Sequence, residues 1–164
     1  MKVRLFAAGT LAVLIGLVAP RSGPASDTAS IYETLKLMQN HTVLFVATTE
    51  AKETEALKGE GQYTLFAPTD TAFKKLDDAT IKKIASDRDM VKQLLRSHLV
   101  SGKHKAVDLK KPDARNLRTL NGNALKVEDA KDGLRVGGAK LVETDIRCSN
   151  GVIHVIDTVL PMAK

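Results

Sequence analysis

His154 and Asp157 stand three residues apart near the C-terminal end of the chain, the types and spacing that come nearest to a base and the carboxylate that orients it. Nucleophilic catalysis needs such a pair together with a hydroxyl or thiol in hydrogen-bond reach. Val152-Ile153-His154-Val155-Ile156 reads as a strand, however, and successive strand side chains point to opposite faces. His154 then shares a face with Val152 and Ile156, Asp157 with Ile153 and Val155, and a regular strand separates the two. Ser97 and His98 are adjacent and diverge in the same way when extended. Cys148 and Ser149 adjoin a turn with no base at suitable spacing. The four histidines, His41, His98, His104 and His154, are dispersed and form no close pair at helical ligand spacing. Each is expected to be a satisfied core or surface histidine rather than a metal ligand. There is no His-Glu-x-x-His helix, no Cys-x-x-Cys, no phosphate-binding glycine loop and no Gly-x-Ser-x-Gly elbow. These patterns predict no catalytic residue, no metal site and no cofactor.

The elements that must position these residues fall into two halves. Ser30 with Glu33 fits a capping box that opens a helix through about Met38, with Ile31, Leu35 and Met38 as its apolar face. A second helix from about Val43 is expected to present Val43, Leu44, Phe45, Val46 and Ala47 on a largely buried face. A short third helix over Thr54 to Leu57 is stopped by Gly59 and Gly61. Tyr63 to Pro68 is apolar on nearly both alternating sides, which suits a buried strand. Thr69 then serves as an N-cap, Asp70 sits at the first helical position where its charge favours the helix dipole, and Phe73 falls where a hydrophobic staple meets Pro68. Asp77 and Asp87 cap two further helices, the longer carrying Met90, Val91, Leu94 and Leu95.

After His98 the pattern changes to strands. Leu99-Val100, Arg118 to Leu120, Ala124 to Glu128, Leu134 to Val136, Ala139 to Arg147 and Val152 to Val155 are the strand segments. Asn121-Gly122, Asp132-Gly133, Gly137-Gly138 and Asn150-Gly151 separate the later ones with the chemistry of tight hairpins. Asn150-Gly151 is expected to supply positive backbone dihedrals. A helix-rich first half and a hairpin-rich second half make an α+β domain.

The composition sets the class. At 164 residues, 43% hydrophobic and 27% charged, the chain has room for one domain with a proper core. Met1-Lys2-Val3-Arg4 followed by the apolar run Leu5 to Ala19 has the form of an export signal of bacterial style, with cleavage expected after Ala25. The run falls short of the about 20 apolar residues of a membrane span, so no stable span is expected once residues 1–25 are removed. Residues 26–29 form a short polar lead, and 30–162 the domain. Three of the basic residues behind the formal charge of +6 lie in the exported segment, so the remainder is only mildly basic. Aromatics are scarce and Trp is absent, which argues against a nucleic-acid partner. The one basic concentration, Lys103, Lys105, Lys110, Lys111, Arg115 and Arg118, is interrupted by Asp108 and Asp113 and reads as a solvated face. Cys148 is the single cysteine, so no internal disulfide forms and the core must supply stability.

Three stretches carry a family resemblance. Thr64-Leu65-Phe66-Ala67-Pro68-Thr69-Asp70-Thr71-Ala72-Phe73 and Asn150-Gly151-Val152-Ile153-His154-Val155-Ile156-Asp157-Thr158-Val159-Leu160 resemble the two signatures of fasciclin-like domains, and Leu94 to Gly102 resembles the segment between them. The resemblance covers nearly the whole chain after the export segment. It implies a wedge of antiparallel β-sheets flanked by helices, a secreted or periplasmic location, and a non-enzymatic role in cell adhesion or in association with extracellular matrix or envelope. The partner so implied is a protein or polysaccharide of that surface. It marks Thr69, Asp70, His98, Asn150, Gly151, His154 and Asp157 as structural motif residues, and His98, Leu99 and Val100 as the binding candidates of the middle segment. Where several animal members have a Tyr-His pair linked to receptor binding, this chain has Ser97-His98, so integrin-type recognition does not carry over. His98 is expected to bond the junction at Thr69 and Asp70. Some family members bind carotenoids, and the alternative is therefore a soluble carrier of an apolar small molecule such as a carotenoid or lipid, in a groove lined by Leu44, Val46 or Leu99.

Overall fold

The computed structural model describes residues 28–162. The export segment and the start of the polar lead lie outside them. Helices α1 (Ile31–Leu37), α2 (Thr42–Glu50) and α3 (Thr54–Lys58) precede strand β1 (Tyr63–Pro68). Helices α4 (Asp70–Phe73), α5 (Asp78–Ser86) and α6 (Arg88–His98) follow, then β2 (Leu99–Ser101), α7 (Ala106–Leu109) and a 3₁₀ turn at Pro112–Arg115. Strands β3 (Asn116–Arg118), β4 (Ala124–Ala130), β5 (Gly133–Val136), β6 (Ala139–Cys148) and β7 (Gly151–Ile156) complete the α+β fold.

Local chemistry sets most of these boundaries. Ser30 Oγ accepts from the Glu33 amide at 3.2 Å while the Glu33 carboxylate accepts from the Ser30 amide at 2.9 Å, the reciprocal capping box that starts α1. Asp77 accepts from the Thr80 amide and Asp87 from those of Asp89 and Met90, so α5 and α6 each begin on an aspartate. Gly137 and Gly138 both have positive φ, +57° and +86°, which the two-residue turn between β5 and β6 requires.

The face expected on α2 is corrected. Leu44 and Thr48 are buried, whereas Val43 and Val46 look outward, because five consecutive helical residues span more than one face.

The seven strands form one sheet in the order β2-β1-β7-β6-β5-β4-β3. Its pairing is antiparallel except between β1 and β7, which run parallel with Thr64 opposite Val152 and Phe66 opposite His154. The all-antiparallel expectation fails there because no short turn links the two strands: the whole intervening chain does. Both are nearly fully buried and occupy the middle of the sheet's helix-covered part. At the far ends Val100 bridges Thr119, and the Leu120 amide donates to the Leu99 carbonyl at 2.8 Å. The sheet thus curls until its outer strands meet, which leaves little unpaired edge.

Two cores result. Alternation along β1 sends Leu65 and Ala67 to a core shared with Ile31, Leu35, Leu44, Leu94, Leu95 and Ile153. Phe66 goes instead to a core inside the curl, to which all seven strands contribute, including Val100, Leu117, Leu125, Val136, Leu141 and Ile156.

Candidate functional site

Thr69 and Asp70 make the corner between β1 and α4. Thr69 Oγ1 accepts from the Ala72 amide at 3.2 Å and caps α4 as its type predicts. Asp70 does something else: its carboxylate accepts from the Thr42 amide at 3.3 Å and the Val43 amide at 2.9 Å. It therefore caps α2 across space, where His41 occupies the cap position and offers no side-chain bond. The Asp70 amide donates back to the Asn40 carbonyl at 2.8 Å, closing the joint between the two helices.

His98 is fully buried and does not reach that corner, contrary to expectation. As the last residue of α6 its ring folds back on its own helix: Nδ1 lies 2.7 Å from the Leu94 carbonyl, and Nε2 accepts from the Leu160 amide at 3.0 Å. An amide can only donate, so Nε2 is bare and Nδ1 carries the proton. Burial pushes the His98 pKa down to about 4, against the pull of the Leu94 carbonyl. His98 thus clamps the segment after β7 to α6.

His154 has the opposite tautomer for the same kind of reason. Its Nδ1 accepts from the Asp145 amide at 3.2 Å and its Nε2 donates to the His104 carbonyl at 2.7 Å. Its ring stacks on Phe66, and burial lowers its pKa, against the His104 carbonyl and the Asp145 carboxylate. Asp145 itself adopts φ +62° in the irregular part of β6, a strained conformation for a residue with a side chain, and its carboxylate accepts from the Ala106 amide at 2.8 Å. Nothing in the sequence around Asp145 signals this role.

Asn150 joins the most distant pieces. Its Oδ1 accepts from the Ile31 amide at 2.8 Å, and its Nδ2 donates to the carbonyls of Leu57 at 2.8 Å and Gly59 at 3.0 Å. The expectation of positive dihedrals at Asn150-Gly151 is corrected, since neither residue has one. Glycine is needed at 151 for space: a Cβ would run into the Tyr63 carbonyl oxygen and Ile31 Cδ1. Asp157 accepts from the Lys140 amide at 2.9 Å and pairs with Lys75 at 3.7 Å, apart from His154. Cys148 is buried, donates to the Thr34 hydroxyl at 3.3 Å, and has its thiol pKa raised by burial.

Leu99 and Val100 are buried with His98, Leu99 in the core under the helices and Val100 inside the curl. A partner at the surface therefore meets none of the three directly. Among the described residues no group of three or more His, Cys, Asp or Glu is placed to hold a metal. Within the basic segment Lys111 pairs with Asp108, Lys110 with Asp129, and Lys103 donates to the Ser149 carbonyl. The expected groove residues also change. Leu44 and Leu99 are core, but Val46 does line a concavity of about 890 Å³ between α2, α4, α5 and α6.

The fasciclin-domain family profile matches residues 39–162. The chain belongs to the fasciclin domain family. An uncharacterised protein, sll1735, of the cyanobacterium Synechocystis is 34% identical over 124 residues, which span 76% of this chain and 91% of that one. The cell surface glycolipoprotein MPB83 of Mycobacterium bovis is 37% identical over 100 residues, 61% of this chain and 44% of the other. The solved FAS1 domain pair of the insect cell adhesion molecule fasciclin I superimposes with a TM-score of 0.69 at 18% identity, covering 81% of this chain and 51% of that one. That likeness establishes the fold of the fasciclin chain. No helix among its described residues is long and apolar enough to cross a membrane.

Proposed function

We propose that this fasciclin-domain protein is an exported, non-enzymatic interaction module that associates with a protein or polysaccharide of the cell envelope or extracellular matrix. One observation carries the reading: six polar motif residues, Thr69, Asp70, His98, Asn150, His154 and Asp157, each bond main-chain groups of their own fold through their side chains. Groups so engaged are not free to act as base, nucleophile or ligand. They build a scaffold, and function then belongs to its outer surface. The protein's relatives include a cell surface glycolipoprotein, and its fold is that of a cell adhesion molecule, which agrees with such a role. The domain boundaries that go with it are an export segment over 1–25, a polar lead over 26–29 and the domain over 30–162.

Labelled protein should bind isolated envelopes or matrix of its source saturably and be displaced by unlabelled protein. Protease or periodate treatment of the envelopes then tells a protein partner from a polysaccharide. Absence of saturable binding to either preparation, with no change in cell attachment on deleting the gene, overturns the proposal. N-terminal sequencing of exported protein should find a start near Ser26.

A further inference from the structure

Helix α5 is amphipathic yet buries none of its residues, although Ile81, Ile84 and Ala85 recur on one side. That side forms one wall of the concavity between α2, α4 and α6, whose other apolar lining includes Val43, Val46 and Phe73. Its volume of about 890 Å³ falls within the roughly 300–1,000 Å³ of small-molecule sites. Val43, Val46 and Ile81 remain 44%, 50% and 39% exposed in it, so apolar surface is left for an occupant to cover. Four charged residues line the same space. The Asp70 carboxylate is turned to the α2 amides, while Glu50, Lys74 and Arg88 make no ion pair among the described residues. Lys74 and Arg88 stand against two carboxylates, of which Asp70 is held by the amides at the N-terminus of α2 and Glu50 is free, so both cations remain open to an occupant with a long apolar body and one anionic end.

We propose that this groove binds a monomeric single-chain amphiphile with an anionic head, of the long-chain fatty acid class. The chain covers Val43, Val46, Phe73 and Ile81, and the carboxylate lies against Lys74 and Arg88. A flat bilayer suits the site less, because the apolar side chains line a concavity that a membrane surface does not enter.

The absence of Trp permits a direct test by the fluorescence of a conjugated polyene fatty acid, added to the delipidated protein below its micelle concentration. One saturable site is expected. Binding of saturated competitors should strengthen about fourfold per added methylene until the groove is filled. Val46→Asp and Ile81→Glu, both at half-exposed positions and checked for folding by circular dichroism, should each weaken binding at least tenfold. Lys74→Ala with Arg88→Ala should weaken the acid about three- to tenfold and leave a long-chain alcohol unchanged. The proposal is overturned by the lack of a saturable site, by equal binding to both groove variants, or by an alcohol that binds wild-type protein as tightly as the acid. Binding to anionic phospholipid vesicles without binding of the monomeric acid also overturns it and assigns the face to a membrane.

Discussion

Inside the curl of the sheet His154 stacks on Phe66 with both ring nitrogens bonded, whereas in the helical layer His41, only 4% exposed, has neither nitrogen bonded. The same contrast runs through both regions. Strands β1 and β7 bury almost every residue, while α5 buries none and Val43 and Val46 of α2 stay half-exposed. A closed sheet must satisfy its polar groups internally, since water does not reach them. A helix satisfies its own backbone, so helices pack loosely without orphaning amides. Close burial thus marks β1 and β7, and open apolar surface marks α2 and α5. Of the motif residues His154 belongs to the sheet, Asn150 joins sheet and helices, and Thr69, Asp70 and His98 serve the helices that also form the groove.

The largest effect should come from Asn150, where the two regions are bolted together. Asn150→Ala strands the Ile31 amide and the Leu57 and Gly59 carbonyls at once. Each unsatisfied buried group costs about 1–3 kcal/mol, and two of the three, the Ile31 amide and the Leu57 carbonyl, are buried, so a loss of about 3 kcal/mol or more is expected in denaturant unfolding. A loss below about 1 kcal/mol shows that the helices stand independently of this residue and breaks the contrast.

The next effect is acid sensitivity. The folded pKa of His98, about 4, lies below its ordinary 6.5. Between those values the unfolded chain takes up a proton that the folded chain refuses, so stability is steady above pH 6.5, falls as pH drops toward 4, and loses nothing further from this group below that. At about 1.4 kcal/mol per pKa unit the loss amounts to about 3 kcal/mol. His41 and His154, also lowered chiefly by burial, act in the same direction. His98→Gln should be less stable at pH 7.5 yet show a visibly shallower decline between pH 6.5 and 4 in urea titrations. An unchanged slope means that the Leu160 clamp opens before the imidazole titrates.

What was legible in the sequence follows the same division by reach. Ser30, Thr69, Asp77 and Asp87 announce their caps because each bonds an amide two or three residues away. Gly137-Gly138 announces its turn because two backbone dihedrals decide it. The parallel pairing of β1 with β7 was not legible, and neither were Asn150 bonding Ile31 across 119 residues, His98 bonding Leu160 across 62, or Asp70 capping a helix 27 residues upstream. Nothing local in a residue's type says which distant amide it will meet. Val46 lines the concavity whereas Leu44 and Leu99 face the core, and apolarity alone does not tell the two apart.

The smallest predicted effect tests the comparison most directly, since it turns on sign rather than size. His41 and His98 are both buried imidazoles, and burial lowers the pKa of both. They differ in their partners. Replacing His98 by Leu removes a donor and an acceptor whose counterparts, the Leu94 carbonyl and the Leu160 amide, remain buried. That change should cost about 1–3 kcal/mol. Replacing His41 by Leu removes two ring nitrogens that make no well-formed hydrogen bond; burial lowers the His41 pKa against only Asp70 and the nearby Ala67 carbonyl. The change should therefore be neutral or stabilising, by up to about 1 kcal/mol, with the Asp70 carboxylate still held by the Thr42 and Val43 amides. Paired thermal and urea unfolding of the two variants at pH 7.5 reads the sign. If His41→Leu costs as much as His98→Leu, His41 is engaged as firmly as the histidine that ties α6 to the segment after β7, and the α2 side of the helical layer is not loosely held.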